Sequence, residues 1–172
     1  MSGVSIASGV IATDALGGGV GRGLQSPGIL AQSAVAASVT GTLTETVLAT
    51  IPIPAGAMGV NGMLRVTALW SYTNSANTKT ARYRLSGQSL GFVAVTTSSS
   101  SKTQAEIANR GALNSQVSGV GALVLPFTNS ASAVQTFAID MSVSQNITLT
   151  GLLTNVGETI TLESYTVELL NP

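Results

Sequence analysis

The feature that most constrains the fold is a period of two. From Met63 to Tyr72 the side chains alternate, with Leu64, Val66, Ala68, Trp70 and Tyr72 on one parity and Arg65, Thr67 and Ser71 on the other. Leu69 is the one apolar residue on the polar parity. A helix would repeat its apolar residues every three or four positions, so this run reads as a strand with one dry and one wet face. The run Lys79–Leu85 repeats the pattern, with Ala81, Tyr83 and Leu85 against Arg82 and Arg84. Between them, Thr73-Asn74-Ser75-Ala76-Asn77-Thr78 is a loop of residues that readily hydrogen-bond their own backbone. The stretch from Leu43 to Gly87 therefore sets the class as all-β.

Eight strand-like runs follow one another: Thr44–Ile53, Met63–Tyr72, Lys79–Leu85, Leu90–Thr96, Thr103–Asn109, Val134–Met141, Gln145–Leu153 and Glu158–Leu169. Turn-forming segments divide them, such as Ser86-Gly87-Gln88-Ser89 and Asn155-Val156-Gly157. Pro52 and Pro54 suit a strand end or a sheet edge. Two hydroxyl- and glycine-rich loops are expected at Thr97–Lys102 and Gly111–Ser132. Short strands at this spacing predict two packed antiparallel sheets, a β-sandwich of jelly-roll-like topology over residues 41–172. The last run carries an irregularity. Ile160 and Leu162 share one parity, whereas Tyr165, Val167 and Leu169 share the other. Either a bulge shifts the register near Ser164, or the strand leaves its sheet and continues at a subunit interface.

Residues 1–40 differ in character. They are rich in Gly, Ala and Ser, and Asp14 and Arg22 are their only charges. The run from Gly17 to Gly23 cannot hold regular structure unaided, because glycine loses the most backbone entropy on ordering. A helix over Val4–Leu16 is a competing reading that its β-branched residues disfavour. Ile29–Ser38 is expected as a strand leading into the domain. The segment as a whole reads as an extended N-terminal arm, whose ordering requires partners outside its own chain. Asp14, Gly19 and Arg22 in the arm, and Tyr165, Val167 and Leu169 on the last strand, are the expected assembly contacts.

The 172 residues contain no Cys and no His, which excludes disulfides, thiolate chemistry and the commonest general base and metal ligand. No cofactor is expected. Only 8% of residues are charged, against about a quarter in ordinary soluble domains, and the net charge is zero. Such a surface is expected to be covered by copies of itself or by a larger assembly, the alternative being solvation by Ser, Thr, Asn and Gln without charge. The seven basic residues are balanced by seven acidic ones with no basic patch, so nucleic acid is not an expected partner. The short apolar runs point to no membrane helix, and the first residues carry no positive region that would mark a secretory signal.

Catalytic constellations are hard to assemble from what remains. A glycosidase needs two carboxylates facing one cleft, and the candidates are Glu45, Glu106, Asp140, Glu158, Glu163 and Glu168. Glu163 and Glu168 fall on opposite parities of one strand unless a bulge intervenes, and a rim-exposed place or pairing with Arg65, Arg82, Arg84 or Arg110 is the expected role for each acid. Trp70, Tyr72 and Tyr83 would make a sugar platform if exposed, yet their parity assigns them to the core. The chain reads as a building part and not as an enzyme.

Several phrases resemble the virion structural proteins of tailed bacteriophages. They are Glu45 to Ile51, Ile53 to Gly59, Leu69 to Asn77, Thr103 to Arg110 and Asn155 to Glu163, with the ending Val167 to Leu170. The resemblance spans residues 43–170 and leaves out the arm. It implies small jelly-roll modules on heads, fibres or tails, commonly trimeric, and supplies no catalytic residues. The function it implies is a capsid decoration or cement protein on the capsid exterior. A homotrimer would there hold the major capsid protein or another virion protein through its arm. The alternative is a tail-fibre or receptor-binding tip whose two hydroxyl-rich loops contact host glycans.

Overall fold

The computed structural model describes residues 28–119 and 133–170. Within them the chain forms eleven strands and no helix: β1 (Gly28–Ser33), β2 (Ala37–Thr40), β3 (Thr46–Ile53), β4 (Met63–Tyr72), β5 (Lys79–Leu85), β6 (Gln88–Val95), β7 (Ser100–Asn109), β8 (Gln116–Ser118), β9 (Gln135–Phe137), β10 (Gln145–Leu153) and β11 (Thr159–Leu170). All pair antiparallel, in two sheets. The larger runs β1-β11-β4-β7-β8-β9, with β2 also on β11, and the smaller runs β3-β10-β5-β6. Taking β2, β11, β4 and β7 against β3, β10, β5 and β6 gives the strand order of a jelly roll, in which the chain keeps crossing from one sheet to the other. The predicted antiparallel sandwich is therefore the observed fold.

The alternation seen in the sequence is what fills the interior. Leu64, Val66, Ala68 and Trp70 of β4 and Ala81, Tyr83 and Leu85 of β5 all face inward and are essentially inaccessible to solvent. The Trp70 and Tyr83 rings meet edge to face, with centroids 6.3 Å apart. Their polar atoms share one partner, since the Trp70 indole N–H donates to Thr103 Oγ1 at 2.9 Å and the Tyr83 hydroxyl lies 2.5 Å from the same oxygen. Burial pushes the Tyr83 phenol up to about 12. Both rings belong to the core, as their parity predicts.

Two local geometries fix how the strands turn and approach. Between β5 and β6, Ser86 and Gly87 both take positive φ (49° and 77°), the conformation of a two-residue type I′ hairpin. On β10, a Cβ at Gly151 would lie 2.8 Å from Val39 Cγ1, so only glycine lets β10 pass this close to β2.

Residues 28–40 correct the expected domain boundary. They do not belong to an arm, because β1 pairs with Tyr165–Leu169 of β11 and β2 with Thr159–Leu162. Without them the outer edge of β11 would be a row of unpaired backbone groups. β8 lies inside what the sequence suggested was loop. Its anchor is Gln116, whose side chain accepts from Ile139 N at 2.9 Å and donates to Ile139 O at 3.1 Å, holding the segment after β9 against the core. Ile139 and Met141, expected to end a strand, are core residues beyond it.

Candidate functional site

The parity switch in the last strand is a bulge. Leu162 pairs with Trp70 and Ser164 pairs with Leu69, so Glu163 is the extra residue, and β11 continues along β4 as far as Leu170. Its side chain turns to Ser71, whose hydroxyl donates to Glu163 Oε1. Past the bulge, Tyr165, Val167 and Leu169 lie opposite Ala68, Val66 and Leu64, and so return to the inner face. This corrects the expected assembly contact at Val167, which is fully buried in its own core. Tyr165 and Leu169 are half-buried and pack on that core from its margin. Asp14, Gly19 and Arg22 lie outside the described residues.

The bulge coincides with a break on the opposite side of β11. β1 stops pairing at Ser33↔Tyr165 and β2 starts at Ala37↔Leu162, so Glu163 and Ser164 have no register partner in either strand. The intervening chain leaves the sheet in a turn closed by Val35 N donating to Ser33 Oγ at 3.1 Å, and Val35 stands 81% exposed. A groove of about 370 Å³ lies beside the gap, lined by Gln32, Ser33, Ala34, Ser164, Tyr165 and Thr166, of which Gln32 and Thr166, and Ser33 and Tyr165, are register partners across β1 and β11. A smaller hollow of about 170 Å³ lies across the same β11 residues on the sheet face, bounded by Leu69 and Lys102. Leu69, apolar on the polar parity, is 42% exposed there.

The carboxylates are occupied elsewhere, each by its own chain. On the face of the smaller sheet Glu45 takes Arg84 Nε at 2.8 Å and Nη2 at 2.8 Å, Arg82 Nη1 at 3.0 Å and Thr150 Oγ1 at 2.6 Å. The Arg84 hydrogen bonds hold the Glu45 carboxyl down at about 2, and Arg82 adds to the effect. Arg82 also lies over the Phe92 ring, 5.7 Å from its centroid. On the larger sheet Arg65 bridges Glu106 at 2.7 Å and Glu168 at 3.7 Å. Asp140 accepts from Ser142 N at 2.9 Å.

Glu158 is the exception in burial. It lies beneath the loops at one end of the sandwich with Lys79, which is wholly inaccessible, and their charges are 3.7 Å apart. Ser75 joins them, its hydroxyl donating to Glu158 and accepting from Lys79 Nζ at 3.0 Å. The Ser75 hydrogen bond holds the Glu158 carboxyl below its usual range. Glu45, Glu106, Glu158 and Glu168 are thus held in ion pairs within the chain.

The described parts of the two hydroxyl-rich loops lie at opposite ends of β7. Residues 97–99 lead into β7 beside the 73–78 loop, where Tyr72 N donates to Ser99 O at 2.9 Å. The 111–115 turn follows the other end of β7, where Gly111 N donates to Asn61 Oδ1 at 3.1 Å. Ten residues of strand hold these described ends roughly 30 Å apart. Residues 120–132 of the second loop lie outside the described residues.

No family model matches the chain, and neither the curated proteins nor the solved structures give a match.

Proposed function

We propose that this protein is a structural subunit of a phage virion, a decoration or cement protein on the capsid exterior. In this reading a homotrimer of jelly rolls binds the major capsid protein or another virion protein through the segment ahead of β1. The observation that carries it is where that segment joins. Residues 1–27 precede β1, the outer strand of the larger sheet among the described residues, so whatever they grip is coupled to the sandwich. The tailed-phage phrases supply the setting, and the internally paired carboxylates favour a structural role over catalysis. The gain would come from buried apolar area, on the order of 25 cal/mol per Å², repeated over many copies and offset by association entropy.

The test is a particle assembled with a chain lacking residues 1–27. Loading on the capsid is expected to fall at least roughly tenfold, the loss of about 1.4 kcal/mol or more per copy. Full occupancy without the segment would remove the tether. A tail-fibre tip is the second reading, favoured by the neutral hydroxyl and amide groups gathered at one end, where Asn74 Nδ2 donates to Ser99 Oγ at 3.4 Å. Copy number per particle separates the two, since a cement protein is present in many copies and a fibre in few.

A further inference from the structure

The turn over residues 55–61, between β3 and β4, ends in an asparagine whose side chain the fold leaves open to attack by its own backbone. Of the nine asparagines in the chain, Asn61 alone is followed by glycine. In an Asn-Gly pair no Cβ on the second residue shields its backbone nitrogen, which can therefore reach the preceding side-chain carbonyl. The structure adds three conditions. Asn61 is exposed, so water reaches it. Gly62 N makes no hydrogen bond among the described residues, so the nucleophile is not tied up. Gly111 N donates to Asn61 Oδ1 at 3.1 Å, on the oxygen where negative charge collects when that carbonyl is attacked. We infer that Asn61 is a self-modification site, at which the chain converts its own amide into a carboxylate without an enzyme.

Water is the only co-reactant. Gly62 N gives its proton to hydroxide and closes on Asn61 Cγ. The N–Cγ bond forms, the Cγ–Nδ2 bond breaks, and the amide nitrogen takes a proton from water and leaves as ammonia. A second water opens the five-membered imide at either carbonyl, giving aspartate or isoaspartate. Two contacts hold the turn on the end of β7 meanwhile: Asn109 N donates to Gly62 O at 2.9 Å, and Asn109 Nδ2 donates to Gly59 O. The departing Nδ2 has no hydrogen bond among the described residues, whereas Oδ1 has one, so aspartate keeps the bond from Gly111. The change is one of charge, since a chain of net charge zero acquires one negative charge. Arg110, the residue before Gly111, is exposed and in no ion pair among the described residues, and offers the new carboxylate an uncommitted cation. Other asparagines lack these conditions: Thr78, Ile147 and Val156 set a branched side chain after Asn77, Asn146 and Asn155. None of this depends on the virion role.

The test is peptide mapping by mass spectrometry on the full, folded chain, incubated at neutral and at mildly alkaline pH. Asn61 should gain about 1 Da. It should do so at least roughly tenfold faster than any other asparagine, a barrier difference of about 1.4 kcal/mol. The rate should rise with pH, because the attacking nitrogen must first lose its proton, and ion exchange should resolve the more negative product. Gly62→Ala shields that nitrogen and should slow the gain at least roughly tenfold. Asn61→Gln, whose ring closure is less favourable, should stop it even if Gly62→Ala does not fold. Modification first at any other asparagine would overturn the inference, as would an unchanged rate in folded Gly62→Ala. So would a chain that reacts at Asn61 only once unfolded in urea, since the turn would then protect the amide.

Discussion

The interior of the sandwich and the outer edge of β11 are built to opposite rules. Inside, the polar groups turn to one another: Trp70 and Tyr83 share Thr103, and Lys79 and Glu158 share Ser75, with only Arg82 Nε and Glu158 Oε2 left without a hydrogen bond among the described buried side chains. At the edge the pairing is interrupted, with β1 and β2 dividing β11 between them and neither reaching Glu163 or Ser164. The interior therefore sets stability, and the edge is where a surface can change without unfolding the domain. Substitutions in the two regions should separate fold from assembly.

The largest effect is expected at the buried ion pair. Lys79→Ala leaves the Glu158 carboxylate without its cation and should lower the urea unfolding midpoint more than any other substitution here. Replacing both residues together, Lys79→Met with Glu158→Leu, should recover most of that loss. A double variant as unstable as the single one would mean that the loops, not the charges, hold that end. Next comes Gly151→Ala, which drives a methyl into Val39, a branched side chain with little freedom to move. A loss of about 1–3 kcal/mol is expected, and an unchanged midpoint would show that β2 is looser than its burial implies.

A smaller effect is expected from acid. Because the folded Glu45 carboxyl titrates near 2 and not near 4.5, its contribution is complete above 4.5 and disappears as the pH falls towards 2. Partial solvent screening leaves on the order of 1–2 kcal/mol over that window. Glu158 is shifted in the same direction and adds to the slope. Thermal midpoints recorded against pH should flatten in Glu45→Gln, and an identical profile would place the acid sensitivity elsewhere. The smallest effect on stability is expected at the edge. Ala34→Trp, at an exposed position outside any strand, should leave the unfolding midpoint within about 0.5 kcal/mol. A collapse in stability would show the gap to be part of the fold and not a surface held open.

Much of the sandwich was legible because strands with one buried face write their register in alternating residues. Met63–Tyr72, Lys79–Leu85 and Gln145–Leu153 occupy the predicted spans. β8 escaped because three residues are too few to show a period, and what holds it is the Gln116 side chain bonding to the distant Ile139 backbone. The one strand expected over Ile29–Ser38 is two, β1 and β2, because a turn at Ser33–Val35 breaks it, and only the boundary at residue 40 was placed too late. Their place comes from the open edge they cover. The candidate site was half legible. The parity change between Leu162 and Tyr165 announced a break in β11, yet only pairing with β4 shows a bulge at Glu163 that sends Val167 inward.

By itself the sequence determined the class of fold, the two aromatic rings at its centre, and the exclusion of thiol and imidazole chemistry. These depend on residue type and on spacing of two, both local properties. Tertiary structure alone decided which strands share a sheet, that Lys79 meets Glu158 under the loops, and that β1 and β2 part company over Ser164. Each of these joins residues far apart in the chain, and the free energy of such contacts depends on burial and register that no local pattern encodes.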